Sequence, residues 1–249
     1  MRENIYVSPT KNIVVIPTYN EAENLRRLIP DLLQLPLQLH ILIVDDASSD
    51  GSAEVARELG GPSRRIEILE RPGKLGLGSA YRDGFAKALA GGYSIIIQMD
   101  ADGSHRVADL KEMLTYFSEH PDIDLLIGSR WISGGAVKNW PKRREILSRA
   151  ANFYSRAMLG FPIKDSTAGF RIYRADLLKK MELSRVTSEG YAFQIEMTRE
   201  ARRVKAKTVE YPITFIERKI GVSKMSPEII REALIKVTSW GVARLFKRG

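Results

Sequence analysis

Short apolar runs without polar alternation, each separated from the next by a helical stretch, constrain this chain most. Asn12–Ile16, Leu39–Val44, Arg65–Leu69, the run from Ile95 and Ile123–Gly128 read as strands. Helices are predicted between them. The first spans Ala22 to Leu35, with Leu25, Leu28, Ile29, Leu32 and Leu33 at helical spacing. A second begins near Ser52, capped by Ser49 or Asp50. A third runs to about Ala90, and a fourth from Val107 to Glu119. Strands that are apolar on both faces belong in a parallel sheet covered by helices on both sides. Ligands of such sheets bind at the C-terminal ends of the strands. Tyr19, Asp46, Asp100 and Arg130 all follow strands, so they are expected to share one crevice.

The strand from Ile95 ends in Asp100-Ala-Asp102-Gly-Ser104-His105. Residues i and i+2 of an extended segment point to the same side. Asp100 and Asp102 therefore make a hard-oxygen pair suited to Mg²⁺ or Mn²⁺. The same residue types also suit a solvated turn.

Beyond Arg130 the pattern changes. Ser133–Ala136 reads as a flexible turn, and a helix is predicted from about Arg144 to Leu159. Asp165–Tyr173 reads as a turn into a strand, and 188–204 as a helix. Thr208–Phe215 reads as one strand, with Pro212 suggesting a sheet edge. A last helix is expected after the Ser226-Pro227 cap, running to about Phe246. The turn Gly73-Lys-Leu-Gly-Leu-Gly78 is not a P-loop, because Leu75 stands where Ser or Thr is needed; ligand contact through its backbone or a plain helix start remain.

The net charge of +9 points to an anionic partner. The excess is concentrated in the second half: Lys138, Lys142, Arg143, Arg144, Arg149 and Arg156 face one acid, Glu145. No cysteine is present, which excludes disulfides and thiolate metal sites, and three histidines argue against a multi-His centre. No apolar run approaches the roughly 18 residues of a membrane span, and Met1–Tyr6 shows no secretory pattern. The expectation is one domain: a first half at 12–130, a second at 131–225 and an amphipathic helix at 226–249. It is expected to be cytoplasmic and peripheral on the cytoplasmic membrane face.

Three segments together are more specific than any alone. Pro17-Thr-Tyr-Asn-Glu21, then Val44-Asp-Asp-Ala-Ser-Ser-Asp-Gly51, then a strand ending in Asp-Ala-Asp resembles the nucleotide-sugar half of inverting GT-A glycosyltransferases. Gly128-Ser-Arg130, Asn139-Trp-Pro141, Thr167-Ala-Gly-Phe170, Gly190–Glu196 and Phe215–Met225 resemble the polyprenol- or dolichol-phosphate mannosyltransferases, most closely actinobacterial ones. The resemblance implies an α/β, Rossmann-like GT-A fold with C-terminal amphipathic interface helices. It implies transfer of mannose from GDP-mannose to a polyprenyl phosphate, with inversion. Pro17, Tyr19, Glu21, Val44 and Asp46 would contact the guanosine. Asp100, Ala101 and Asp102 would lie along the diphosphate, with Asp100, Asp102 and Ser104 toward the metal. Arg130, Arg218 and Lys224 would bind phosphates, and Arg144 and Ser148 would lie near the acceptor phosphate. Asp102, Arg130 and Arg218 would carry the catalysis. Many relatives carry C-terminal transmembrane helices and this chain shows none, so a membrane surface and an integral membrane partner protein both enter as attachment modes.

Chemistry independent of the resemblance also favours a phosphate acceptor. A sugar hydroxyl generally needs a general base to attack, whereas a phosphate monoester is already anionic near neutral pH. Such an acceptor needs cations instead, and arginine suits them. The competing readings are a transferase using UDP-glucose or a hydroxyl acceptor, with Glu189 or Asp165 as base, and a basic nucleic-acid or membrane-binding module. The last leaves the paired carboxylates unexplained, so no nucleic-acid partner is expected.

Overall fold

The computed structural model describes residues 11–36, 38–61, 63–218 and 227–246. The predicted alternation is present. Strands β1 (Asn12–Thr18), β2 (Leu39–Asp45), β3 (Ile66–Glu70) and β4 (Ile95–Gln98) alternate with helices α1 (Ala22–Leu33), α2 (Ser52–Gly60) and α3 (Leu77–Ala90). Helix α4 (Val107–Glu119) leads to β5 (Leu125–Ser129). The second half adds β6 (Ala136–Lys138), α5 (Lys142–Leu159), β7 (Arg171–Arg174), α6 (Ala175–Lys180), α7 (Gly190–Arg203), β8 (Thr208–Pro212), β9 (Thr214–Ile216) and α8 (Pro227–Phe246).

Seven strands form one sheet in the order β3-β2-β1-β4-β7-β5-β8. All neighbours are parallel except β7, which runs antiparallel to both β4 and β5. Period-2 alternation sends each strand's side chains to two cores. Val14, Ile16, Ile41, Ile43 and Ile97 pack against Leu25, Leu28, Ile29, Met113 and Phe117 of α1 and α4. Ile13, Val15, Leu42, Val44 and Ile96 pack against Tyr81 and Phe85 of α3 and Phe193 and Met197 of α7. Both faces of β1, β2, β4 and β5 are therefore almost wholly dry, which is why these strands carry little polar alternation.

Helix α3 approaches the sheet through Gly84. A Cβ there would lie 2.4 Å from Val15 Cγ1 and 3.0 Å from Val44 Cγ2. Gly84→Ala is expected to cost about 1–3 kcal/mol by overpacking. A thermal melt checks this, and an unchanged midpoint would show that the helix can move away at no cost.

Two sequence expectations are corrected. Ser133–Ala136 runs into strand β6, and Thr208–Phe215 is two strands rather than one. The chain leaves the main sheet at Ile213, which is buried, and β9 then pairs in parallel with β6. Pro212 does end an edge strand, as its missing N–H demands. The small β6–β9 sheet is what carries Phe215 and Arg218 to the strand ends. Lys224 and the expected Ser226 cap lie outside the described residues.

Candidate active site

The loops after β1 and β2 are knitted together by short polar side chains. Ser48 Oγ accepts from the Asn20 N–H at 2.9 Å, and Asn20 Oδ1 accepts from the Ser49 N–H at 2.9 Å. Asp50 bridges two helix starts, accepting from the Ala22 N–H at 2.9 Å and the Ser52 N–H at 3.0 Å. Asp50, not Ser49, thus serves the start of α2. Asp45 is buried and holds Thr18 Oγ1 and Ser48. Its neighbour Asp46 takes the Arg71 guanidinium on one oxygen and the Leu75 and Gly76 N–H groups on the other, at 3.2 and 3.3 Å. Val44 stands apart from the expectation. It is fully buried in the core beside Gly84 and does not line the crevice, because β2 points it inward one residue before the strand emerges.

The two carboxylates after β4 are held by different partners. Tyr81 Oη donates to Asp100 Oδ1 at 2.8 Å, and His105 Nδ1 accepts from the Asp100 N–H at 3.2 Å. Burial, then the Asp100 charge, pushes the Tyr81 phenol well above its usual value, so it stays a donor. Burial also pushes the His105 imidazole down, against the pull of Asp100 and Asp102, and the ring stacks on Phe170 at 4.7 Å. Asp102 is opposed by burial, yet the Ser104 hydrogen bond and the Arg218 charge bring its pKa below the usual carboxylate value. The Arg218 guanidinium lies 3.3 Å from Asp102. Ser104 is the residue that the resemblance sets toward the metal beside Asp102. Its hydroxyl donates to Asp102 Oδ1 at 2.6 Å and it is buried behind the crevice, so it serves the carboxylate rather than lining the open side.

Arg130 emerges from β5 and is buried with Asp165. Its Nε and Nη2 donate to the two carboxylate oxygens at 2.7 and 2.6 Å, and its Nη2 also donates to Thr167 at 2.9 Å. Trp131, Trp140 and Phe215 surround the guanidinium at 5.3–5.5 Å. Arg144 also lies over Trp140, 4.2 Å from its ring centroid, and pairs with Glu217. The two tryptophans, which by sequence suited either a membrane interface or the core, thus build an arginine-holding cage. Tryptophan faces attract guanidinium groups.

These elements enclose a crevice of about 390 Å³. Pro17, Tyr19, Glu21, Asp46, Asp100, Ala101, Asp102, Arg130, Arg144 and Arg218 line it, as the strand-end argument expected for Tyr19, Asp46, Asp100 and Arg130. Ser148 lines a second, apolar cavity of about 290 Å³ between α5, α7 and α8. Arg130, Trp140, Arg144, Thr167 and Tyr191 line both. Glu189 and Gln194 also face the crevice. Sequence reasoning did not assign Gln194, although it lies within the 190–196 segment already singled out.

Among the described residues no three His, Cys, Asp or Glu groups converge to form a metal cage. Asp100 and Asp102 remain as two hard oxygen donors. That set fits a divalent ion whose other ligands come from a phosphorylated substrate and water.

A crevice at the topological edge of a Rossmann-like sheet, with a D-x-D pair and clustered arginines, defines a glycosyltransferase of the GT-A class. The chain belongs to glycosyl transferase family 2, whose model matches residues 13–182. It is 48% identical over 238 residues to the polyprenol monophosphomannose synthase of Mycolicibacterium smegmatis, covering 95% of this chain and 89% of that protein. It is 43% identical over 231 residues to the undecaprenyl-phosphate mannosyltransferase of Micrococcus luteus, covering 93% and 94%. Solved structures share the fold at lower identity. Glucosyl-3-phosphoglycerate synthase from Mycobacterium tuberculosis with UDP aligns with a TM-score of 0.68 at 16% identity, over 93% of this chain and 80% of that one. A mannosyltransferase from Pyrobaculum calidifontis with GDP-Man and Mn²⁺ aligns with a TM-score of 0.61 at 16% identity, over 98% and 66%.

Proposed function

We propose that the protein transfers mannose from GDP-mannose to a polyprenyl phosphate at a membrane surface, with inversion at the anomeric carbon. One observation carries the reading: the polar crevice and the apolar cavity meet at Arg130 and Arg144. A lipid phosphate needs such a junction, with cations for its head and an apolar channel for the start of its tail. The identity to polyprenyl-phosphate mannosyltransferases over nearly the whole chain supports it.

In this reading Pro17, Tyr19, Glu21 and Asp46 receive the nucleoside. Asp100 and Asp102, beside Ala101, would hold Mg²⁺ or Mn²⁺, which would supply positive charge against the diphosphate leaving group. Arg218, paired with Asp102, adds a second positive group at that end. Arg130, Arg144 and Ser148 orient the acceptor phosphate, whose oxygen attacks the anomeric carbon as the bond to GDP breaks. No side-chain base is required. The two carboxylates considered for a hydroxyl acceptor are otherwise engaged. Asp165 is chelated by Arg130, and Glu189 takes the Gly78 and Ser79 N–H groups at 2.6 and 3.2 Å.

The decisive assay offers polyprenyl phosphate in vesicles with GDP-mannose and UDP-glucose in parallel. An acid-labile mannolipid formed from GDP-mannose is expected. Preference for UDP-glucose would overturn the donor, and an acid-stable linkage would overturn the phosphate acceptor.

No helix among the described residues is long and apolar enough to cross a membrane. Attachment is instead read from α5 and α8. Ile146 and Phe153 on α5, and Leu234, Ile235 and Phe246 on α8, are exposed, with Lys142, Arg143, Arg149 and Arg156 exposed on α5. Apolar residues beside basic ones suit the surface of an anionic bilayer. Phe153→Asp combined with Ile235→Asp is expected to lower co-sedimentation with anionic vesicles several-fold while leaving GDP binding intact. Unchanged co-sedimentation would exclude this face.

A further inference from the structure

The turn Pro72–Gly78 has no role in the scheme above, yet it is held with unusual care. Asp46 grips it from the donor half through the Leu75 and Gly76 N–H groups. Glu189 grips its far end from the acceptor half through the Gly78 and Ser79 N–H groups. Gly76 sits at φ 102°, and a Cβ there would lie 2.5 Å from Glu189 Oε2. Two carboxylates more than a hundred residues apart in sequence therefore fix the backbone of one short turn.

What the turn presents is Lys74. Its ammonium lies 4.2 Å from the centroid of the Tyr19 ring, and both residues line the crevice. Lys74 is exposed, lines the crevice and makes no ion pair with a described residue. A cation resting on an aromatic face at an exposed site is weakly held, so it is free to exchange that face for a better acceptor. In the donor reading above, the base of an incoming nucleotide enters beside Tyr19. Guanine offers two acceptors on one edge, O6 and N7, which lysine and arginine read well. Adenine sets a donor beside N7, and a pyrimidine has no such pair.

We propose that Lys74, carried over Tyr19 by the clamped Pro72–Gly78 turn, is a specificity-determining residue that donates to the O6/N7 edge of the donor's guanine. The proposal deepens the donor reading above and rests on it.

Calorimetric binding of GDP, UDP and inorganic pyrophosphate to the full chain, with Mn²⁺ present, tests it in wild type, Lys74→Met and Lys74→Arg. Lys74→Met is expected to weaken GDP about tenfold while UDP and pyrophosphate change by less than about twofold. Lys74→Arg should keep most of the GDP affinity. Equal losses for GDP and pyrophosphate would make Lys74 a phosphate contact and overturn the proposal, as would an unchanged GDP affinity in Lys74→Met. Tighter binding of UDP than GDP by the wild type would overturn the guanine donor itself, and the proposal with it. A melt of each variant accompanies the titrations, since an exposed side chain without an ion pair leaves the fold in place.

Discussion

Asp102→Ala is expected to lower mannosyl transfer by roughly 10²–10³-fold, the loss typical when one preorganised charge-stabilising group is removed. Three consequences converge on this residue. The change removes one of two hard oxygens available to a divalent ion. It releases the Ser104 hydroxyl, which donates to Asp102 at 2.6 Å. It also removes the carboxylate that the Arg218 guanidinium faces at 3.3 Å. Asp102→Asn separates these effects, because it keeps the shape and loses the charge. Its transfer rate should fall nearly as far, and its GDP affinity should lose its dependence on Mn²⁺. Because Ser104 and Arg218 favour the charged carboxylate, wild-type activity should not decline through protonation of Asp102 until pH falls below the ordinary carboxylate range. Turnover within about threefold of wild type in Asp102→Asn would contradict the metal-holding role, since the charge would then contribute almost nothing.

Arg130→Ala should affect stability as much as activity. Arg130 is 5% exposed and Asp165 is fully buried, and they share a bidentate pair. Removing one partner of a buried pair typically costs about 3–5 kcal/mol, because the other charge stays behind unpaired. At about 2–4 °C per kcal/mol for a chain of this size, the melting midpoint should drop by roughly 10 °C. Asn152 and Thr167 stay beside Asp165 and would soften the loss. Arg130→Lys keeps a charge without the two-pronged geometry, so it should fall between the two. Acceptor KM should rise in both variants if the guanidinium also orients the lipid phosphate. A midpoint unchanged within about 2 °C in Arg130→Ala would show that the buried Arg130–Asp165 pair contributes little to stability.

The elements of the first half were legible because each burial pattern is local. Leu25, Leu28, Ile29 and Leu32 report a helix by their spacing, and the dry runs of β1, β2 and β4 report a two-sided sheet. Asp100 and Asp102 were legible as a pair by their i, i+2 spacing after an apolar run, although β4 ends at Gln98 and a bend, not an extended strand, carries Asp102. Other features had no such signal. The break at Ile213 lies inside a run with strand character, where Pro212 signals an edge but not a change of sheet, and it shows only in the packing of the buried Ile213 side chain against Gly128. Ser104 reads as a ligand candidate by position, and its rotation onto Asp102 is set by the turn at Gly103. Trp131 and Trp140 carry no periodicity that tells a membrane belt from a cage around Arg130.

The sequence by itself determined the class of sheet, the edge that binds ligands and the carboxylate pair at that edge, since all three follow from spacing along one strand or helix. Only the tertiary structure decided which distant groups meet there. Arg130 finds Asp165 across 35 positions, Arg218 reaches Asp102 by way of β9, and Lys74 lies over Tyr19. Charge pairing and desolvation depend on distance in space, and no local repeat in the chain encodes that distance.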